Sequence, residues 1–83
     1  MSTLIEKFQK NSFEEVQISY NQFNGNDLID IRVFYKNDKD EYKPSKKGIS
    51  INVKHFPEFE KAVQKAKEFL RKKGLLENNN TKE

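Results

Sequence analysis

One stretch, residues 25–52, constrains the fold of this chain more than any other. Residues 28–35 are rich in β-branched and aromatic side chains, and apolar and charged residues alternate in the order Ile29, Asp30, Ile31, Arg32, Val33. A period of two predicts a strand with one face against a core and the other towards water or a ligand. Residues 37–40 are four polar turn formers, and a second alternating strand begins at Gly48.

The connection between these two predicted strands carries a cluster of lysines. Lys43, Lys46 and Lys47 surround Pro44 and Ser45, with no acidic residue among them. A strand pair joined by a lysine-loaded connection is a plausible wall of a groove for a polyanion.

Two further strands are predicted upstream. The alternating residues 13–20 predict a half-buried strand, and apolar residues near Phe8 predict an edge strand or one helical turn, of which we favour the strand. Residues 21–27, with three Asn and Gly25, are typical of a turn, because Asn and Gly tolerate positive φ. Phe23 falls inside this predicted turn, where an aromatic side chain is not easily part of a core.

The period changes after Asn52 to that of an amphipathic helix. Apolar residues recur at spacings of three and four, namely Phe56, Phe59, Val63, Ala66 and Leu70, which we call the helix stripe. The helix is expected to begin between Asn52 and Pro57 and to have Gly74 at its C′ position. Residues 77–83 are polar and are predicted to be a disordered tail, which leaves one domain at residues 1–76.

Composition limits how much of a core one copy of the chain can build. Only 34% of the 83 residues are hydrophobic and 35% are charged, so a monomer would bury little apolar surface. Disulfides are excluded because there is no Cys, and a zinc site is not expected with a single His. Dimerisation through the helix stripe is the remaining way to complete a core.

The sequence contains no pattern that indicates catalysis. It has no phosphate-cradling glycine loop, no metal-ligand spacing and no nucleophile elbow. His55, the single His, has no Ser, Cys or carboxylate beside it in a pattern that would form a catalytic site. We therefore expect no enzyme activity, cofactor, metal or small-molecule substrate. No apolar run approaches the roughly 20 residues of a membrane span, and no signal peptide opens the chain, so an intracellular, soluble protein is expected.

Charge is distributed unevenly along the chain. Residues 1–42 carry 5 basic and 8 acidic side chains, net −3, whereas residues 43–83 carry 11 basic and 5 acidic, net +6. A basic half in a chain of modest total charge favours a localised polyanion site. For the lysines of the predicted helix, a solvated face is the preferred alternative.

The segment FNGNDLIDIRVFYKNDKDEYKPSKKGISIN resembles the core of the positive cofactor four family of transcriptional coactivators. The matching blocks are Phe23, Gly25, residues 28–32, the Tyr35 position, Lys43, Pro44 and residues 47–50. With the preceding strand and the following helix, the resemblance covers roughly residues 8–70. It implies a small dimeric domain that binds single-stranded DNA or unwound duplex without catalysis.

Pattern and resemblance together predict an α+β domain, a curved antiparallel sheet of about four strands followed by one C-terminal α-helix, paired into a homodimer. The predicted phosphate ligands are Arg32, Lys43, Lys46 and Lys47, and the predicted base-stacking residues are Phe23 and Tyr35. The setting would be transcription, replication, recombination or repair, with partners from transcription or replication. The expected location is the nucleus of a eukaryote, or the cytoplasm or nucleoid in a bacterial or viral setting.

The sequence departs from the family at several positions. Residues that are usually basic appear here as Glu14, Asn21, Asn24 and Asn26, which should lower affinity and salt dependence together. Tyr35 stands where the family usually has a larger indole ring, so it offers a smaller surface for base stacking. Family members often carry a long serine- and lysine-rich leader, of which this sequence has almost none, so regulation through a leader is not expected.

Three questions stay open on the sequence alone. Strict alternation puts Tyr35 on the face opposite Arg32, so that a bulge or strong twist near Phe34 is needed to bring both to one groove. Arg32 could instead serve as the partner of Asp30 on its own face. The alternative functions are docking of an acidic protein partner by a basic dimer, or binding of single-stranded RNA.

Overall fold

The computed structural model of the protein describes residues 2–76, and the predicted tail at residues 77–83 lies outside this range. The elements are β1 (Ser2–Gln9), β2 (Glu14–Phe23), β3 (Asn26–Lys36), β4 (Tyr42–Asn52), a 3₁₀ turn (Val53–His55) and α1 (Phe56–Lys72). The strands form one antiparallel sheet in the order β1-β2-β3-β4. The predicted α+β class, four strands followed by one helix, is confirmed.

A two-residue turn joins β2 to β3. Asn24 and Gly25 have φ of 52° and 76°, and Phe23 pairs with Asn26 on either side of them. Two successive positive φ angles are typical of the type I′ hairpin turn that Asn-Gly favours. The predicted hairpin is therefore present, but the expectation that Phe23 lies inside the turn is wrong. Because Asn-Gly reverses the chain alone, β2 continues to Phe23.

The connection between β3 and β4 is also shorter than expected. The Oδ1 of Asn37 accepts hydrogen bonds from the backbone N–H groups of Lys39 (2.8 Å) and Glu41 (3.0 Å), which closes the loop early. β4 then begins at Tyr42, so the lysines at residues 43–47 lie in a strand and not in a connection, which corrects the prediction. Pro44 is tolerated there because β4 is an edge strand, where one N–H faces away from the ladder.

A bulge interrupts the pairing of β3 with β4. Arg32 pairs with Gly48 and Phe34 with Pro44, so three residues of β4, 45–47, lie opposite the single residue Val33. The hydroxyl of Ser45 donates a 2.7 Å hydrogen bond to the Val33 carbonyl at this point. The pairing of β2 with β3 has no such interruption. The bulge therefore reorients β4 and leaves the alternation of β3 intact.

The sheet has an apolar face and a polar face. Ile29, Ile31, Val33 and Tyr35 of β3 point to the apolar face, and Asp30, Arg32 and Phe34 point to the polar face. On the polar face, Gln9 of β1 hydrogen-bonds Tyr42 of β4 over 3.0 Å. Three flat strand spacings would separate these edges by about 14 Å, and side chains standing upright on a flat sheet would not meet. The sheet is therefore curved towards its polar face, as predicted.

The helix begins and ends where the sequence predicts. Pro57 lies in its first turn, where its missing N–H removes no helical hydrogen bond. At the other end Gly74 has φ of 76°, its N–H bonds the Arg71 carbonyl (3.0 Å), and the Leu75 N–H bonds the Leu70 carbonyl (2.9 Å). This pair of hydrogen bonds is the Schellman motif that a C′ glycine permits.

Within residues 2–76, no hydrophobic side chain is fully buried. Phe59 borders an apolar groove of about 410 Å³ on the apolar face of the sheet, but Val63 and Leu70 further along the helix stripe are 49% and 37% exposed. The Cα radius of gyration is 15.2 Å, against about 12 Å for a compact chain of this length. A single chain leaves both its apolar face and its helix stripe largely uncovered, as composition predicts.

Two further properties concern the same part of the chain. No helix among residues 2–76 is both long enough and apolar enough to span a membrane. In this range the structure also contains no group of three or more His, Cys, Asp or Glu side chains that could hold a metal ion.

Candidate nucleic-acid interface

Tyr35 lies near the end of β3 on the apolar face, with its side chain exposed to solvent. In register beside it stand Glu14 of β2 and Lys43 of β4. The Nζ of Lys43 is 3.6 Å from the Oε1 of Glu41, an exposed ion pair that constrains the lysine little. The strand pairing therefore sets an accessible aromatic ring next to an exposed cation.

Lys47 joins Tyr35 on the apolar face. Its Nζ lies 3.7 Å from the Oε2 of Glu14, which stands directly opposite Tyr35 in the β2–β3 ladder. Lys47 thus reaches from β4 across β3 to β2. We call Tyr35, Lys43 and Lys47 the Tyr35 group, since the structure brings these three predicted site residues to one end of one face.

Two side chains that the prediction did not assign to the site adjoin this group. Hydrogen bonds from Asn11 (2.8 Å) and Lys10 (3.1 Å) reach the Oε1 of Glu14 and hold the pKa of that carboxyl below its ordinary value. Lys10 and Asn11 precede β2 by only a few residues, and this spacing is the signal that could have indicated their contact with Glu14. Glu14, held by these two side chains, therefore partly neutralises the charge of Lys47 in the Tyr35 group.

Arg32 lies on the polar face in a bidentate ion pair with Asp30. Its Nε and Nη2 donate to the two carboxylate oxygens at 2.9 and 2.8 Å, and its Nη1 donates to the Ser45 carbonyl at 3.0 Å. The Asp30 carboxylate also accepts from the Ser50 hydroxyl (2.7 Å). The guanidinium beside it holds the pKa of Asp30 below its ordinary range. The structure thus shows the alternative role for Arg32, and its contact with phosphate stays a prediction.

Arg32 and Tyr35 do not share a groove in this chain. A bulge in β3 near Phe34 is needed to bring the two side chains to one face. The structure has a bulge close to that position, opposite Val33, but it lies in β4 and not in β3. Because β3 keeps its alternation, Arg32 points to the polar face and Tyr35 to the apolar face.

The remaining predicted nucleic-acid ligands lie apart from the Tyr35 group. Phe23 ends β2 at the opposite end of the sheet and is 64% exposed. Its partner Asn26 is nine residues from Tyr35 along β3, which corresponds to about 30 Å. Lys46 is exposed in the bulge and has no carboxylate within ion-pair distance among residues 2–76.

The predicted dimer residues all lie on α1. The rings of Phe56 and Phe59 have centroids 6.2 Å apart, and Phe59 is the member that borders the apolar groove. Val63, Ala66 and Leu70 continue the helix stripe and are exposed. Their surface is available to a second copy of the chain, which stays a prediction.

The fold and this surface define a class: an α+β domain of one open sheet and one helix, with exposed aromatic and basic side chains and little core of its own. Within this class, the chain belongs to the family of the transcriptional coactivator p15 (PC4), whose family model matches residues 10–62. The resemblance seen in the sequence is confirmed.

Solved structures of several PC4 relatives are similar to this chain. BPSL1147, a PC4 homologue from Burkholderia pseudomallei, is 21% identical with a TM-score of 0.75, over 81% of this chain and 98% of that one. MoSub1, solved in complex with DNA, is 32% identical with a TM-score of 0.59, over 92% and 90% of the two chains. A bacteriophage T5 homologue of PC4, implicated in recombination-dependent DNA replication, is 21% identical with a TM-score of 0.56, over 92% and 82%. The two relatives at 21% identity support the fold alone.

Proposed function

We propose that this chain binds single-stranded DNA as a homodimer, with little readout of base sequence and without catalysis. The observation that carries the proposal is the Tyr35 group, in which an exposed ring lies in register with Lys43 and on the same face as Lys47. Aromatic rings stack on unpaired bases of any sequence, and lysines bind the backbone as point charges. Nothing in the group resembles a donor and acceptor set for one particular base edge.

Membership of the PC4 family supports this proposal from a second direction. MoSub1, 32% identical to this chain, has been solved with DNA and with single-stranded DNA. Membership of a family of transcriptional coactivators also supports a setting in transcription.

The other predicted ligands are assigned smaller or separate parts. Lys46, exposed in the bulge, would add one phosphate contact. Arg32 would contribute less than the lysines, because Asp30 already neutralises its guanidinium. Phe23 would stack a base about 30 Å from Tyr35 along the sheet, a distance of about nine stacked nucleotides at roughly 3.4 Å each. Phe23 pairs with Asn26 and so points to the polar face, whereas Tyr35 points to the apolar face. A single strand that engages both aromatic residues of one protomer must therefore also pass around an edge of the sheet.

The homodimer is proposed from the two uncovered apolar surfaces. Each protomer presents an apolar groove on its sheet and an exposed helix stripe, Phe56 to Leu70. A two-fold axis can place the helix stripe of each copy against the apolar surfaces of the other, which is the self-complementary contact of an isologous dimer. This arrangement would supply the core that one chain lacks.

One titration tests the binding proposal. A labelled oligonucleotide is added to the protein as single-stranded DNA, duplex and single-stranded RNA of the same sequence, each at two salt concentrations. We expect the DNA single strand to bind more tightly than the duplex, and every affinity to fall with salt. Equal affinity for RNA would show that the sugar is not read. A lack of preference for single strands, or equal competition by poly-glutamate, would contradict the proposal and favour an acidic protein partner.

A further inference from the structure

Glu14 lies beside the Tyr35 group and contacts Lys47 of that group, although its charge has the same sign as that of the ligand proposed there. It stands directly opposite Tyr35 in the β2–β3 ladder. Its Oε1 accepts hydrogen bonds from Asn11 Nδ2 (2.8 Å) and Lys10 Nζ (3.1 Å), and its Oε2 is 3.7 Å from Lys47 Nζ. Three donors from two parts of the chain therefore converge on one carboxylate.

The loop between β1 and β2 fixes the position of these donors. The backbone carbonyl of Glu14 accepts from the N–H groups of Lys10 (2.9 Å) and Asn11 (3.1 Å), and the Oδ1 of Asn11 accepts from the Phe13 N–H (2.9 Å). The side chain of Glu14 is only 21% exposed, whereas that of Lys47 is 72% exposed. The Glu14 carboxylate thus has a fixed position against the β1–β2 loop, while the ammonium group of Lys47 beside it faces solvent.

We propose that Lys10, Asn11 and Lys47 form an anion cradle for a backbone phosphate of single-stranded DNA, and that Glu14 occupies this cradle in the unbound protein. Carboxylate and phosphate oxygens accept hydrogen bonds from the same cationic and amide donors, so the two anions compete. Glu14 is thereby an internal competitor that sets the affinity of the site. Lys10 is assigned as a phosphate ligand, a role outside the set of residues predicted from the sequence.

This inference rests on the proposed function and makes that function quantitative. A phosphate that enters the cradle must displace the Glu14 carboxylate from Lys10 and Lys47, and the displaced charge then lies close to the bound strand. At a separation of about 4 Å in water, the repulsion between two unit charges corresponds to about a fivefold loss of affinity. The same displaced charge reduces the number of counterions released on binding, because it partly neutralises the lysines.

The test compares E14Q with wild type in a titration of fluorescently labelled oligothymidylate at several salt concentrations. Glutamine keeps an oxygen for Asn11 and removes the charge, so E14Q should bind about fivefold more tightly at low salt and show a salt slope steeper by up to about one unit. E68Q, on the exposed surface of α1, makes the same change in net charge and should bind like wild type. Far-UV circular dichroism of each variant establishes that the sheet is retained.

A second variant tests the assignment of Lys10 as a phosphate ligand. Lys10→Gln should weaken binding and reduce the salt slope by about one unit, most clearly in combination with E14Q, where the competitor is absent. An unchanged slope in that combination would overturn the assignment of Lys10. If wild type binds the oligonucleotide but E14Q binds no more tightly than E68Q, the inference is wrong while the proposed function stands. If neither wild type nor any variant binds the oligonucleotide, the proposed function is wrong as well.

Discussion

The Nε2 of Gln9, in the first strand, donates a 3.0 Å hydrogen bond to the hydroxyl of Tyr42, in the last strand. The two residues belong to opposite edges of one sheet and meet over its polar face. The same Nε2 lies 2.7 Å from the Asn11 carbonyl, and Lys36 Nζ lies 5.7 Å from the centre of the Tyr42 ring. This contact links the two edges of the sheet on the face opposite the Tyr35 group.

Removing the Tyr42 hydroxyl should weaken that link and little else. Tyr42→Phe keeps the ring and is expected to lower the free energy of unfolding by about 0.5–1.5 kcal/mol, the net contribution of one hydrogen bond. Urea denaturation at a fixed protein concentration measures the difference. Tyr35→Phe is the matched control, because the Tyr35 hydroxyl makes no hydrogen bond within residues 2–76. Equal effects of the two changes would contradict a structural role for the contact.

The ion pair of Asp30 with Arg32 should make stability depend on pH in the acid range. The guanidinium lowers the pKa of Asp30 in the folded state, so the stabilisation is complete above the ordinary carboxyl pKa and is lost as pH falls through the lowered value. Arg32→Ala should raise the pKa of Asp30 and reduce stability at neutral pH by about 1–2 kcal/mol. Carboxyl NMR titration measures the pKa of Asp30. Asp27, whose pKa is lowered by hydrogen bonds from Tyr20 and Gln22, should not move.

Gly48→Ala should separate β3 from β4 beside the bulge. A Cβ at this position would lie 2.5 Å from the Ile31 carbonyl oxygen and 2.8 Å from the Arg32 Cα, and backbone atoms cannot give way as a flexible side chain could. We expect a loss of about 1–3 kcal/mol and faster amide exchange in β3 and β4. Gly74→Ala, with no atom near its Cβ, should be strained only at the end of α1 and leave sheet exchange unchanged. Unaltered exchange in both variants would contradict this account.

Several of these features were predictable from local sequence and others were not. The strands and the helix follow from periods of two and 3.6, because these patterns depend on neighbours along the chain. The β4 bulge depends on Ser45 bonding the Val33 carbonyl and on the absence of a side chain at Gly48, both of which are contacts between strands. For that reason the face on which Lys47 lies, and its ion pair with Glu14, could not be read from the sequence.

Phe23 shows a second limit of prediction from the sequence. The polar composition of residues 21–27 indicates a turn correctly, but composition does not reveal that two residues complete the reversal. The opposite orientations of Arg32 and Tyr35, in contrast, follow from strict alternation, and the structure agrees because β3 itself contains no bulge.

Phosphate and base contacts should separate in the salt dependence of binding. Lys43→Ala or Lys47→Ala should weaken binding to every sequence alike and reduce the salt slope by about one unit. Phe23→Ala or Tyr35→Ala should cost about 1–3 kcal/mol for each lost stack and leave the slope almost unchanged. Duplex DNA, whose bases already stack on each other, should respond to the lysine changes and hardly to the aromatic ones. Single-strand binding as tight as wild type in both aromatic variants would contradict the stacking assignment.

The helix stripe should be required for assembly. Phe59→Glu or Val63→Glu places a charge on the surface proposed to meet the second copy, so we expect monomeric or unfolded protein. Sedimentation velocity at micromolar concentration, with circular dichroism on the same samples, distinguishes these states. Gln64→Glu, one residue further around α1, introduces the same charge beside the helix stripe and should leave the dimer intact. A stable wild-type monomer at that concentration would contradict the proposal.

The lack of a fully buried hydrophobic side chain in residues 2–76 has a thermodynamic consequence. If a second copy supplies the missing core, folding is a bimolecular reaction, and its midpoint moves with the logarithm of the amount of protein present. Dilution of the protein then shifts the equilibrium from folded dimer towards unfolded monomer. Any nucleic acid that bridges two protomers opposes it by holding them at a high effective concentration. The persistence of the folded state in a cell would be set by how much of this chain is made and by how much single strand is exposed.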